Sequence, residues 1–245
     1  MPATDDPAIK LIATLGLGAP ADLIATNLLG GRTFRLGVAG SARYLKIAPT
    51  TVPHTHDVTV EAERLRWLAE RLPVPEVIET GLTDAHTWML TRELPGLPAS
   101  DLRWRRDPGR TAAILGAAVR TFHDALADSV ASCPWSWRIA DRLKNGTGSA
   151  EARTIARTPP EERDLVVAHG DLCAPNILLH PDGRLAGFTD VGKLGVAARA
   201  ADLGCHIWSL QRNEMGDQAD AFLDAYGYEG DRVEAWWYRD FYTVV

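Results

Sequence analysis

An α+β chain in two parts is what this sequence predicts, on three observations. Before residue 95 the apolar residues fall into short, β-prone runs, with one strongly helical stretch from Thr59 to Leu72 among them. At Leu94-Pro95-Gly96 the pattern breaks, because proline and glycine interrupt both kinds of regular structure. Beyond the break, helix signals dominate, beginning with Asp107-Pro108, an Asp suited to the N-cap and a Pro suited to the first helical position. The expected division is 1–94, mainly antiparallel sheet with one key helix, and 95–245, mainly helical. A length of 245 residues is enough for both parts to bury a core.

In chain order, residues 1–30 read as a short helix and a turn, punctuated by Gly16, Gly18 and Pro20. Leu28 to Leu36 reads as a hairpin entry. Its Gly30-Gly31 pair lacks Cβ atoms and could bring backbone N–H groups close to phosphates, with an ordinary turn as the alternative. Arg43-Tyr44-Leu45-Lys46-Ile47 alternates as a strand. Thr59 is the expected N-cap of a helix through Leu72, ended by Pro73. On it Glu61, Leu65, Leu68 and Leu72 share one face and Glu63 points away. An acid on an apolar face needs a partner, and Lys46 on the neighbouring strand is the candidate. Alternatively Glu61 serves only the helix dipole. Thr87 to Thr91 is another strand.

In the second part, Leu115, Val119, Phe122 and Leu126 make the helix opened by Asp107 a core helix, with His123 structural. Asn145-Gly146-Thr147-Gly148-Ser149 is a flexible connection. The stretch from Val166 to Gly195 then reads strand, loop, strand, turn, strand, with Pro181-Asp182-Gly183 as the turn. A hairpin there would bring Asp171, Asn176 and Asp190 into one cleft. That set suits phosphoryl transfer: one carboxylate orients an attacking hydroxyl and accepts its proton, while an amide oxygen and a second carboxylate are hard ligands for Mg²⁺ on a nucleotide. Singly, such residues mostly serve turns and caps. The ordered pattern H-G-D-x4-N followed by F-x-D is what argues for a site. Two more helices are expected, Asp217 to Tyr226 and Asp231 to about Tyr242; the second carries Trp236, Trp237, Tyr238, Phe241 and Tyr242, as a core helix or as an aromatic wall of the acceptor site.

The segments His169-Gly170-Asp171-Leu172-Cys173-Ala174-Pro175-Asn176 and Gly187-Phe188-Thr189-Asp190-Val191-Gly192-Lys193-Leu194-Gly195-Val196-Ala197 closely resemble the catalytic and metal-binding segments of the aminoglycoside phosphotransferases, most of all the 3′-phosphotransferases of the kanamycin type. The resemblance covers about Leu28 to Gly227. It implies a two-lobed protein-kinase-like fold and Mg²⁺-dependent transfer of the γ-phosphate of ATP or GTP to a hydroxyl, most naturally the 3′-hydroxyl, of an aminoglycoside. By the same resemblance Asp171 is the catalytic base, Asn176 and Asp190 hold Mg²⁺, and Lys46 braced by Glu61 holds phosphates. Tyr44 matches an adenine-stacking aromatic, with a plain strand tyrosine as the alternative. Arg92 and Leu94 match the hinge whose backbone bonds the purine. Asp202 matches a residue that braces the catalytic segment. Asp171, Lys193, Trp208 and Asp240 are placed with the acceptor. The chain departs from the family pattern in three places: the loop before the catalytic strand is shortened to Ala150 to Glu162, the terminal acidic pair is missing, and Trp208 and Arg212 stand where the family has an arginine and a glutamate.

Composition sets the remaining bounds. An apolar share of 46% with 24% charged residues is ordinary for a globular protein, and no apolar run approaches a membrane span. Met1 to Lys10 lacks a signal pattern, and Cys133, Cys173 and Cys205 have no metal-ligand spacing, so the expectation is a cytoplasmic protein, monomeric or dimeric. From Glu214 onward eight acids stand against two bases, which equals the whole chain's net charge of −6. Such a surface repels nucleic acid and suits a cationic small molecule, although Asp217, Asp220 and Asp224 at helical spacing are better read as a solvated face. Three rival readings stand beside the aminoglycoside: a kinase of another small hydroxyl compound, a non-catalytic nucleotide-binding pseudokinase, and a metal-dependent hydrolase built from His54, His56, His169, Asp171 and His180.

Overall fold

The structure is a computed structural model that describes residues 7–17, 21–38, 40–145 and 149–244. Gly18, Pro20 and Gly146 to Gly148 lie outside the described residues. The chain forms two compact units, Met1–Ala69 with Pro75–Leu94, and Glu70–Val74 with Pro95–Val245.

Among the described residues the first unit is a five-stranded antiparallel sheet with two α-helices. In chain order it contains α1 (Pro7–Thr14), β1 (Ala21–Thr26), β2 (Arg32–Leu36), β3 (Arg43–Pro49), α2 (Val58–Leu68), β4 (Val77–Leu82) and β5 (His86–Arg92), with strand order β1-β2-β3-β5-β4. The pleat of β3 sends Leu45 and Ile47 to one face, where they join Phe34, Leu36, Trp88 and Leu90 under Ala8 and Ile12 of α1. Lys46, between them, faces the other way, towards α2. That helix is capped by Asp57 rather than Thr59: Asp57 Oδ1 accepts from Thr59 N at 2.9 Å, and the Thr59 hydroxyl donates to the same oxygen at 2.8 Å. Asp57 lies one step before the first helical residue, in the extended conformation that an N-cap requires. The helix ends at Leu68 rather than Leu72, since Pro73 disfavours helical backbone just before it and the chain turns out early. β1 and β4 were not anticipated; both are edge strands of the sheet.

The second unit holds β6 (Leu97–Pro98), α3 (Pro108–Ala125), α4 (Ile139–Asn145), α5 (Ala150–Ile155), β7 (Leu165–Ala168), β8 (Ile177–Leu179), β9 (Leu185–Phe188), β10 (Gly195–Ala198), α6 (Arg199–Arg212), α7 (Ala219–Tyr226) and α8 (Arg232–Tyr242). Two small antiparallel sheets, β6-β8-β9 and β10-β7, carry the loops of interest. Asp107 caps α3 through its Oδ1 on Arg110 N, with Pro108 in the first turn, as expected. Leu115, Val119, Phe122 and Leu126 are fully buried. α3 packs on α7 and α6 on α8. The second pair touches backbone to backbone at Gly204, where an added Cβ would lie 2.7 Å from the Ala235 carbonyl. The solvated-face reading of the late acids fits Asp220 and Asp224, both exposed and paired with Arg232.

One buried group is unusual. Arg142 of α4 is only 1% exposed, and its guanidinium stands over the rings of Trp137, Tyr238 and Phe241 at 5.8, 6.0 and 5.8 Å. Its Nε and Nη1 make no hydrogen bond, so aromatic faces stand in for the carboxylate that a buried cation usually finds. Among the described residues no helix is long and apolar enough to cross a membrane.

Candidate active site

In the first unit, strand and helix bring one cation and one acid together. Lys46 sits between Thr33 of β2 and Met89 of β5, which fixes its height on the sheet. Glu61, in the first turn of α2, is 6% exposed, and its two carboxylate oxygens accept from Lys46 Nζ at 2.8 and 2.9 Å. Charge-assisted and two-pronged, this contact holds the ammonium in place, and about a quarter of the Lys46 side chain stays accessible to a ligand. The Gly30-Gly31 pair serves a turn here: Gly31 N donates to Asn27 Oδ1 at 2.8 Å, Gly30 N to Asn27 O at 3.2 Å, and Gly30 takes a left-handed φ of +83°. Their N–H groups are thus directed at Asn27 rather than held out for phosphate. Tyr44 is half-buried on β3, and burial first, then the nearby Glu93 charge, pushes its phenol up. At the end of β5 the Arg92 amide donates to the Glu76 carbonyl at 2.9 Å, so that donor is committed within the unit, and Leu94 is half-buried.

In the second unit the chemistry-bearing residues sit on loops at strand ends. Asp171 follows β7. The turn that leads to it is held by Asp202 of α6, fully buried, whose Oδ2 accepts from His169 N at 2.7 Å and whose Oδ1 accepts from Gly170 N at 2.9 Å. Behind Asp202 a relay continues inside the same unit. His123 Nε2 lies 3.2 Å from Asp202 Oδ2, His123 Nδ1 lies 2.8 Å from the Tyr226 hydroxyl, and Arg199 donates to that hydroxyl at 2.6 Å while also pairing with Asp164. With Arg199 donating to its oxygen, the phenol keeps its proton and donates a hydrogen bond to Nδ1, which leaves Nε2–H as the donor to Asp202. Burial opposes ionisation of Asp202, yet the hydrogen bond from His123, with the backbone donors, holds its carboxyl below the usual range. Gly170 takes a φ of +82°, and a Cβ there would lie 2.3 Å from the Lys193 carbonyl, so the turn accepts only glycine.

His169 ties the two loops together. Its ring is fully buried, and burial lowers its pKa so that it stays neutral. Nε2 donates to the Thr189 carbonyl at 3.0 Å and Nδ1 accepts from Asp171 N at 3.3 Å, which fixes the tautomer. Thr189 N in turn donates to the Asn176 carbonyl at 3.0 Å, one step beyond the Ile177–Phe188 pair of the β8–β9 ladder. Asn176 and Asp190 are therefore neighbours by register. Asn176 is 8% exposed and spends its amide N–H on the Asp171 carbonyl at 2.8 Å, leaving its side-chain oxygen as the acceptor. Asp190 is exposed and carries a left-handed φ of +62°, a strained backbone of the kind found where a side chain must be aimed. An amide oxygen beside a carboxylate is a donor set that fits Mg²⁺, which takes oxygen ligands and keeps several waters.

Around Asp171 the wall is cationic and aromatic. Lys193 Nζ reaches Asp171 Oδ2 at 3.3 Å; burial is the largest single influence and works against its charge, but the raising influences together, led by the charge of Asp171 with its hydrogen bond, leave its pKa raised. The Tyr242 hydroxyl donates to Asp171 Oδ1. Burial first, then the acidic groups around it, pushes that phenol far up, so it stays protonated. The Tyr242 ring lies 5.0 Å from Trp208 and 5.9 Å from Lys193 Nζ, and Arg212 stands 5.8 Å over Trp208. Of the other residues placed with the acceptor, Asp240 is half exposed and pairs with its neighbour Arg239 at 3.0 Å. Of the aromatics on α8, Tyr238 and Phe241 are core while Tyr242 lines the acid. Sequence reasoning missed that division, since the 3.6-residue period puts Tyr238 and Tyr242 one turn apart on the same face. Among the described residues no three His, Cys, Asp or Glu side chains converge as transition-metal ligands, and both His169 nitrogens are engaged, so the hydrolase reading has no ligand set.

Comparison with known proteins agrees with these features. Residues 28–237 match the phosphotransferase enzyme family. An aminoglycoside 3′-phosphotransferase of Streptomyces fradiae is 34% identical over 212 residues, 75% of this chain and 78% of its own. A streptomycin 3″-kinase of Streptomyces griseus is 31% identical over 240 residues, 86% of this chain and 85% of its own. In structure, an aminoglycoside-3′-phosphotransferase of type VIII superposes with a TM-score of 0.78 at 28% identity, covering 94% of this chain and 96% of that one.

Proposed function

Since this chain belongs to the phosphotransferase enzyme family, with relatives that are aminoglycoside kinases, we propose that it transfers the γ-phosphate of ATP or GTP to a hydroxyl of an aminoglycoside, the 3′-hydroxyl first among them. The observation that carries this reading is the placement of Asp171: its loop is locked from behind by Asp202 and His169, while its carboxylate faces Lys193 and Tyr242 and is about one-fifth exposed. Asp171 orients the acceptor hydroxyl and takes its proton as the oxygen bonds to the γ-phosphorus. The bond from that phosphorus to the bridging oxygen breaks, and the electron pair leaves with the nucleoside diphosphate. Lys46, steadied by Glu61, holds the nucleotide's phosphates, Tyr44 flanks its base, and the hinge backbone at Arg92 and Leu94 borders it. Asn176 and Asp190 would hold Mg²⁺, which neutralises phosphate charge when bound. Most of the rate then comes from positioning and electrostatics. The acid-rich late segment draws a polycationic acceptor towards the second unit. An enzyme that modifies an antibiotic in this way serves resistance or acts in antibiotic biosynthesis, in the cytoplasm.

Incubation with Mg²⁺, γ-labelled ATP and a panel including kanamycin and streptomycin tests the proposal, with NMR of the product to locate the phosphate. Label on at least one member is expected. A protein that binds ATP yet labels none of them lacks the proposed substrate. A hydroxyl compound other than an aminoglycoside is the second reading, favoured by Arg212 and Trp208 at the acceptor wall, where an extra cation disfavours an amino sugar.

A further inference from the structure

An acceptor hydroxyl must donate a hydrogen bond to Asp171 before it can lose its proton to it. Both oxygens of that carboxylate are already engaged by groups of the chain itself: Oδ2 by Lys193 Nζ at 3.3 Å and Oδ1 by the Tyr242 hydroxyl. The two neighbours differ in kind. Lys193 contributes a charge and no oxygen, whereas Tyr242 contributes an O–H donor, the same group that an acceptor brings. The Tyr242 ring is placed for this by Trp208 at 5.0 Å and by the Lys193 ammonium at 5.9 Å from its centre, with α8 anchored on α6 through Tyr238 and Phe241.

We propose that the Tyr242 phenol occupies the seat of the acceptor hydroxyl on Asp171, so that an acceptor binds productively only by displacing it. This rests on the reading of Asp171 as the base. Displacement needs a rotation about the tyrosine side chain and no movement of the helix. While the phenol is seated, a water molecule must compete with it for Oδ1, so transfer of phosphate to water is slowed until an acceptor arrives. Tyr242 is thus a specificity-determining residue: a hydroxyl competes for the seat when the rest of its molecule gains contacts that water lacks, on the faces of Trp208 and of the displaced ring.

Tyr242→Phe tests this, because it removes the hydroxyl and keeps the ring. Nucleotide hydrolysis without acceptor should rise about tenfold, the size expected when a hydrogen bond to a charged group no longer has to be broken. The KM for an aminoglycoside that the wild-type protein phosphorylates should fall by a similar factor. The same substitution made in an Asp171→Asn background should produce neither change. Acceptor-free hydrolysis that stays at the wild-type rate, or a KM that rises as it would if Tyr242 gripped the acceptor, overturns the inference. Neither result touches the phosphotransferase reading, which fails separately if the wild-type protein transfers phosphate to no acceptor on the panel. Thermal melting of each variant shows that it is folded.

Discussion

The two units hold their charged residues by different means. In the first, Lys46 and Glu61 sit on regular elements, a central strand and the first turn of a helix, and the sheet ladder sets their positions. In the second, Asp171, Asn176 and Asp190 sit beyond strand ends; the β8–β9 ladder makes Asn176 and Asp190 neighbours, but Asp171 is set by a chain of polar contacts from Arg199 through Tyr226, His123 and Asp202 to the backbone of His169 and Gly170. The first arrangement draws its rigidity from backbone pairing and should tolerate loss of a side chain. The second depends on each buried polar group finding its partner, and a half-satisfied network is worse than none.

The sharpest separation is expected from Asp171→Asn. Turnover should fall about a hundred- to ten-thousandfold with nucleotide affinity nearly unchanged, while stability falls by about 1–3 kcal/mol because Lys193 and Tyr242 lose a charged partner. Steady-state kinetics beside nucleotide titration checks it; turnover that survives removes Asp171 from its role. Asp202→Asn follows. Its carboxylate is fully buried with three donors aimed at it, and an amide turns one of its own donors towards them, so a loss of about 3 kcal/mol in stability is expected together with a fall in kcat. Equilibrium denaturation measures the first and kinetics the second. If Asp202→Asn lowered kcat while the protein stayed as stable as the wild type, the network would not be what sets the loop.

Glu61→Gln probes the other unit. Lys46 keeps a neutral neighbour and the sheet keeps its register, so the KM for ATP should rise about tenfold while stability falls by no more than about 1 kcal/mol. A collapse of stability equal to that of Asp202→Asn would erase the contrast between the units. The smallest effect is pH-dependent. His206, stacked on Phe222 and donating from Nδ1 to the Leu172 carbonyl, is pushed down by burial from 6.5 to about 4, and His169 is shifted in the same direction. Below about 6.5 the unfolded chain takes up protons that the folded one refuses, so this stability is complete above that pH and drains away towards about 4. Asp202, also depressed, adds a loss of the same sign at lower pH. Melting temperatures between pH 7.5 and 4 should show the slope, and His206→Asn should flatten it.

How far the sequence discloses these features follows the same contrast. The Lys46–Glu61 pair is legible because an acid on an apolar helix face demands a partner and the adjacent strand offers Lys46. Asp171, Asn176 and Asp190 are legible through spacing within one short stretch. The seat of Tyr242 is not, since it joins residues 71 apart in sequence, and nothing local separates an aromatic that faces the core from one that faces a carboxylate. The His123–Asp202 contact spans 79 positions, and only the structural role of His123 shows in its helical stripe. α4 and α5 escaped notice because they are short and flank a glycine- and serine-rich connection that dominates the local composition. The cap at Asp57 was missed because Asp57 and Thr59 are both good caps, and only backbone dihedrals choose between them.

The aromatic enclosure of Arg142 has a consequence for how this protein can change. A guanidinium buried without a carboxylate among the described residues is held at a desolvation cost that its three rings only partly offset, and a methionine of similar length could keep the same ring contacts without the charge. The chain therefore stands below the stability that its own framework permits, and one substitution at this position opens a margin. Laboratory evolution of the acceptor wall, where new specificities will be bought with destabilising changes at Trp208, Arg212 or Tyr242, can start from that margin.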